Sequence, residues 1–317
     1  MPDLPVLSHD AVLAAISPEQ AIEHVHEALV RHQVGAWDMP AKTYLDCPPY
    51  GDFRAMPAHG DGLALIKWIC SFPGNPRKGL PTVMGLVCLS DATTGMPLML
   101  LSASAVTALR TGAAAAIAST ALARREARTV GIVGCGLNGA WTARCVVAAG
   151  YGPGTCFDVD DTVAARLAGE LGNGWRAGSR QEAVAQDVVC CVTPGAQVVI
   201  EVGDLHPGAH LNMLGADSHD KAEASVEAVA KCVLYCDEWE QASHGGELSG
   251  AIEAGLVSRD QVTEIGAVLS GITKFRREDT AVTMFDSTGL AIQDLAIARA
   301  ALSAWRQGDI EAQTVSL

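Results

Sequence analysis

Apolar positions change their spacing along the chain, and each spacing predicts a different kind of element. From Ser17 to Arg31 the stripe Ala21, Ile22, Val25, Ala28, Leu29 has helical period. Ser17 suits the N-cap, Pro18 the first helical position, and Glu19 and Gln20 the first turn. Beyond this helix the pattern turns to alternation and short apolar runs. Residues 42–46, 52–58, 64–70, 82–89 and 98–101 read as strands, broken by Pro48-Pro49-Tyr50-Gly51, Pro73-Gly74-Asn75-Pro76 and Thr94-Gly95. Successive strands with no helix between them predict an antiparallel or mixed sheet.

The texture changes near Ser102. An alanine-rich helix is predicted over residues 104–123, followed by Ala127-Arg128-Thr129-Val130-Gly131-Ile132-Val133-Gly134, a short apolar strand feeding a glycine turn. From there strands (155–158, 188–192, 210–214, 233–236) alternate with helices such as 140–149 and 162–171. That alternation predicts a parallel, doubly wound sheet. A last helix over about 290–306 follows Asp286-Ser287-Thr288-Gly289. The boundary is placed near residue 125: residues 1–125 with 290–317 as one domain, 126–289 as the other. There is no repeat, low-complexity run or long linker.

Composition narrows the function. Hydrophobic residues make up 49% and charged residues 18%, enough apolar material for two cores. The formal net charge of −14 argues against nucleic-acid or anionic-membrane partners, which need a basic face. The N-terminus lacks a basic region and a cleavage-site pattern, and the longest apolar candidate, residues 96–109, ends at Arg110 short of a membrane span. The 10 cysteines include no CxxC pair and read as small buried hydrophobes. A cytoplasmic location is expected, and no metal site. His59, His219 and His244 have no ligand spacing, and His244 before Gly245-Gly246 reads as a loop residue.

Gly134-Cys135-Gly136-Leu137-Asn138-Gly139 is a GxGxxG turn between a strand and a helix. In the Rossmann arrangement Gly134 makes the turn, Gly136 lets backbone approach a pyrophosphate, and Gly139 lets helix pack on strand. The helix N-terminus offers unpaired N–H groups to the anion. Asp158 ends the next strand, about 20 residues on, where the ribose-binding carboxylate belongs. Asp158, Asp160 and Asp161 would repel an adenosine 2′-phosphate, and no Arg or Lys follows before Arg166. NAD is therefore expected over NADP.

A second group of residues carries charge into apolar surroundings. Lys67 alternates with Leu65 and Ile69, so it shares an apolar strand face, where an unpaired charge is costly. In a dry pocket near other cations such a lysine has a lowered pKa and serves as acid or base. Arg110 has apolar neighbours on both sides, although a snorkelling surface arginine gives the same pattern. Lys42 and Arg54, on neighbouring strands, suit a clamp for an α-carboxylate, and each alone is equally readable as a solvated cation. Asp217 follows Gly215 at a strand end, as a proton relay, an ammonium partner or a helix N-cap.

Met39-Pro-Ala-Lys42-Thr-Tyr-Leu-Asp, Phe53-Arg54-Ala-Met-Pro-Ala-His, Lys67-Trp, Pro73-Gly-Asn-Pro, Gly79-Leu-Pro-Thr82-Val-Met, Leu109-Arg110-Thr-Gly-Ala-Ala and Phe285-Asp-Ser-Thr-Gly-Leu-Ala-Ile-Gln-Asp together resemble the ornithine cyclodeaminase/mu-crystallin family, and within it the alanine dehydrogenase branch. The resemblance covers almost the whole chain. It implies a Rossmann domain inserted in an α+β N-terminal substrate and dimerisation domain that also takes the C-terminal helix, and hence a homodimer. It implies catalytic roles for Lys67 and Asp217, and substrate roles for Lys42, Arg54, Lys67 and Arg110. The cofactor positions it implies are Arg110, Thr111, Gly134, Gly136, Leu137, Asn138, Gly139, Asp158, Thr193, Pro194, Leu214, Gly215, Asp217 and Ser287. The expected activity is NAD-dependent oxidative deamination of a small L-amino acid, L-alanine to pyruvate and ammonia. Alternatives within the family are an ornithine or lysine cyclodeaminase, a cyclic ketimine reductase and a crystallin-type binding protein.

Overall fold

The computed structural model describes residues 3–195, 197–218, 221–273, 275 and 278–316, so His219 lies outside the described residues. The chain forms two compact units: one holds the residues up to Arg110 and from Leu290 onward, the other is Thr111–Gly289.

The first unit opens with β1 (Leu4–Leu7), α1 (His9–Ala15) and α2 (Pro18–Gln33). Ser17 caps α2: its hydroxyl accepts from Gln20 N, the Gln20 side chain returns to the Ser17 backbone, and Ala21, Val25, Ala28 and Leu29 are buried. Then β2 (Thr43–Cys47), β3 (Gly51–Gly60), β4 (Leu63–Ser71), β5 (Val83–Asp91) and β6 (Pro97–Ser102) pair antiparallel, each with the next. Helix α3 (Ala103–Leu122) follows directly, and the division between units falls within it, after Arg110. The boundary expected near residue 125 falls just past the end of α3 at Leu122. By length and composition α3 is apolar enough to cross a membrane, but most of it is buried, as in a core helix.

The second unit contains β7 (Val130–Val133), α4 (Leu137–Ala148), β8 (Gly154–Phe157), α5 (Asp161–Leu171), β9 (Arg176–Ala177), α6 (Arg180–Val184), β10 (Val188–Cys191), β11 (His210–Met213), α7 (Val226–Val229), β12 (Val233–Cys236), α8 (Trp239–Gly245), α9 (Ser249–Glu253), β13 (Val262–Glu264), α10 (Ile265–Leu269) and β14 (Thr283–Asp286). The strands lie in the order β13-β12-β14-β11-β10-β7-β8-β9, all neighbours parallel. The order reverses between β7 and β10, the switch point at which such sheets bind ligands. Strand β14 is missing from the sequence reading, because its four residues run straight into Asp286-Ser287-Thr288-Gly289. All four are buried between β11 and β12.

After Gly289 the chain returns to the first unit as α11 (Ala291–Gln307) and β15 (Gln313–Val315). Strand β15 pairs antiparallel with β1, and β1 pairs parallel with β6, so the first sheet is mixed: β15-β1-β6-β5-β4-β3-β2. Helix α11 packs on β3 to β6. The inner face of the sheet carries Met56, Ala58, Leu65, Ile69, Val87, Leu89, Met99 and Leu101, all buried. Its outer face leaves Leu45, Ile66, Trp68 and Leu86 exposed.

Candidate active site

In the second unit the turn after β7 has the geometry that its glycines require. Gly134 has φ +94°, a region side chains rarely adopt, and a Cβ there would meet Val192 O. Gly139 packs so closely that a Cβ would collide with Gly134 O. Gly136, the N-cap of α4, has open space around its Cβ position and no side-chain cap. The first-turn N–H groups of α4 thus face the turn with room for an anion. Exposed Leu137 and half-buried Asn138 begin the helix.

Asp158 is aimed at this turn. Its Oδ2 accepts from Cys135 N at 2.7 Å and its Oδ1 from Asp160 N at 3.1 Å. Asp160 has a different duty: it caps α5, and the Thr162 hydroxyl and N–H hold its carboxyl below the usual value. Turn, unobstructed Gly136 and oriented Asp158 together fit a dinucleotide.

Thr193 and Pro194 follow β10, and Leu214 and Gly215 follow β11, its parallel neighbour. Ser287, after β14, is buried; its N–H donates to Met213 O and its hydroxyl to Asp237 Oδ2 at 3.3 Å. Thr111 is buried in α3. Asp217 forms an ion pair with Lys221 at 2.7 Å; it does not cap α7, whose N-cap is Ser225.

The first unit holds the other group. Lys67 is buried on the inner face, its Nζ 2.6 Å from Asp294 Oδ2 and 3.5 Å from Thr107 Oγ1. Arg110 Nε lies 3.7 Å from Asp294 Oδ1. Thr107 and Arg110, three residues apart on α3, share a helix face, and Asp294 comes from the first turn of α11. Burial pushes Lys67 down to about 8; Asp294 opposes this, while Arg110 and Lys42 add to it. With its side chain only 11% exposed, Arg110 is no surface arginine. Arg54 is buried too, its guanidinium on both oxygens of Asp52 at 2.7 and 3.2 Å and stacked over Tyr44.

Sequence reasoning missed Asp294, Thr107 and Glu223. For Asp294 the signal was present: it closes the motif begun by Phe285 and places a carboxylate inside an apolar helix. Glu223 accepts four hydrogen bonds from the loops after β10 and β11. Nothing in its own neighbourhood of sequence announces that role. His59 is exposed beside Asp38, and His244, expected in a loop, lies in the last turn of α8 and bonds Glu240 O.

Comparison with known proteins agrees with this architecture. An alanine dehydrogenase of Archaeoglobus fulgidus is 38% identical over 299 residues, spanning 93% of this chain and 92% of that protein. A solved archaeal alanine dehydrogenase dimer with bound NAD matches at TM-score 0.93 and 36% identity, covering 99% of each chain. Thermococcus litoralis Δ1-pyrroline-2-carboxylate reductase, solved with NADH and L-proline, matches at TM-score 0.93 and 26% identity, covering 99% of this chain and 100% of that one. The sequence profile of the ornithine cyclodeaminase/mu-crystallin family matches residues 5–309, and the chain belongs to that family.

Proposed function

We propose that this protein is an NAD-dependent amino-acid dehydrogenase that converts L-alanine to pyruvate and ammonia. The observation that carries the reading is the buried Lys67, set against Asp294 and Arg110 on an otherwise apolar sheet face. The likeness to the Archaeoglobus enzyme supports alanine as the substrate.

When bound, NAD accepts the hydride from the substrate Cα. The residues of the chain do the remaining work. The glycine turn and the α4 N-terminus hold the pyrophosphate, and Asp158 holds the adenosine ribose and disfavours a 2′-phosphate. Arg110, Lys42 and Arg54, the last with its fork fixed by Asp52, hold the substrate α-carboxylate. Lys67, pushed down to about 8, is neutral in part of the population near neutral pH. It takes a proton from the water that adds to the imine carbon. Lys67 returns that proton to the nitrogen, the C–N bond breaks as the adduct's hydroxyl gives up its proton, ammonia leaves and pyruvate remains. Asp217 is the proposed second proton relay. The outer face of the first sheet is the proposed homodimer interface.

The likeness to the Thermococcus reductase supports a second reading, reduction of a cyclic ketimine. NADH absorbance and an ammonia assay separate the possibilities. With alanine and NAD, NADH and ammonia in equal amounts are expected. Ammonia from ornithine or lysine without net NADH overturns the proposal in favour of a cyclodeaminase. NADH consumption with Δ1-pyrroline-2-carboxylate, and none with pyruvate and ammonia, overturns it in favour of the reductase.

A further inference from the structure

Four hydrogen bonds converge on Glu223, a fully buried carboxylate. Its Oε1 accepts from Thr193 N at 2.6 Å and Thr193 Oγ1 at 2.8 Å. Its Oε2 accepts from Leu214 N at 3.2 Å and Gly215 N at 2.8 Å. One side chain thus ties together the loops that leave two adjacent parallel strands, β10 and β11.

Glu223 is itself anchored on both sides. Its N–H donates to both oxygens of Glu247 at 3.0 Å, and its carbonyl accepts from Val199 N at 2.7 Å and Ile200 N at 2.9 Å. The loops approach so closely that a Cβ on Gly215 would collide with Thr193 O and with the Glu223 carboxylate. The spacing between them is therefore set by backbone contact on one side and by Glu223 on the other.

Strand order gives this spacing a purpose. The glycine turn follows β7, and Asp158 ends the loop side of β8; β10 and β11 lie on the opposite side of β7. A dinucleotide with its pyrophosphate at the turn and its adenosine ribose at Asp158 extends its other half over the ends of β10 and β11. We propose that Glu223 is a positioning residue that buckles the Thr193 loop to the Leu214–Gly215 loop and so shapes the pocket for the nicotinamide half of NAD. This rests on the NAD reading above and adds to it a residue that need not touch the cofactor.

An ionised carboxylate suits the task because it only accepts, and all four partners donate. An amide in its place keeps the shape but turns an NH2 group toward one of the loops. The test is calorimetric titration of wild-type and Glu223→Gln protein with NADH and with ADP-ribose, which lacks the nicotinamide. The Gln variant should bind NADH about tenfold more weakly, the cost of a few disturbed buried hydrogen bonds. Its affinity for ADP-ribose should stay within about twofold of wild type, since the adenosine side is untouched. Equal losses for both ligands, or no loss for either, overturn the proposal. If the Gln variant does not fold, Thr193→Val decides by the same criteria. It removes one of the four donors and should show the same selectivity with a smaller loss. Wild-type protein that binds neither nucleotide overturns the NAD reading itself.

Discussion

Lys67 Nζ stands 2.6 Å from Asp294 Oδ2, and the two side chains are 1% and 0% exposed. Taking both charges out of water costs several kcal/mol per ion, so such a pair is a poor device for stability alone. The same carboxylate also faces Arg110, so two cations share one anion inside the unit. In the proposed reaction the substrate carboxylate would bring a further negative charge to this cationic group.

Replacing Lys67 by Ala should lower turnover by roughly 10²–10⁴, the usual share of a positioned acid or base. NAD affinity should be nearly unchanged, because the proposed pyrophosphate contacts come from the glycine turn and the α4 N-terminus. Asp294→Asn should act differently. Asp294 is what raises Lys67 against burial, so its loss should drop the lysine further below about 8. The acid limb of the kcat/KM profile should then move to lower pH. A limb that stays in place would show that Asp294 does not set the lysine's charge.

Two glycines of one motif should fail in opposite ways. Gly136→Ala meets open space at φ −67°, so the melting temperature should hold while NAD affinity falls at least about tenfold, through crowding of the pyrophosphate. Gly139→Ala drives a Cβ into Gly134 O and should cost about 1–3 kcal/mol of stability. Thermal melts with and without NAD separate the two.

Stability should fall as pH rises from about 4.5 to about 8. Burial and the neighbouring Glu223 push Glu247 up to about 8 from an ordinary 4.5. The folded protein therefore keeps a proton that the unfolded chain loses in this window, and the difference grows until Glu247 itself ionises. Asp286 is raised by burial as well and acts in the same direction. Glu247→Gln still accepts the Glu223 and Ala224 N–H groups, and should flatten the slope by an amount on the order of a few kcal/mol. Urea unfolding at pH 5, 6.5 and 8 measures it; a slope unchanged in the variant contradicts the assignment.

The outer face of the first sheet should bind a second copy of the chain. Trp68 pairs across strands with Leu86 and stacks on Phe53, next to exposed Leu45 and Ile66. A contiguous apolar face of this kind is rarely left in water. Light scattering should give a dimer at micromolar concentration. Leu86→Glu should give monomers. A wild-type monomer would contradict the interface.

The sequence made the strands of the first sheet and the alternation of the second legible because their apolar periods are local. Lys67 was legible for the same reason: alternation alone puts it on the face of Leu65 and Ile69. Strand β14 was not, since four residues buried on both faces carry no period, and their glycine-containing continuation reads as loop. Asp294 and Glu223 escaped for another reason. Their partners lie far away in sequence, Lys67 more than 200 residues from Asp294 and Thr193 30 from Glu223, and only folding brings them together. Most of the residues read as cofactor candidates stand in turns at strand ends that local sequence announces, whereas the side chain that ties two of those turns together has no local signature.

The outer sheet face carries its own chemical reporters. Of the 10 cysteines, seven are buried, and burial pushes half-buried Cys232 up to about 12, too high for a ready thiolate. The remaining two, Cys47 and Cys88, lie on β2 and β5 in line with Leu45 and Leu86, two residues from each. Alternation puts them on the same face as those leucines. Alkylation of the native protein is thus confined to that face. The mass added by a thiol reagent counts how much of it is open at any protein concentration, with no cysteine introduced.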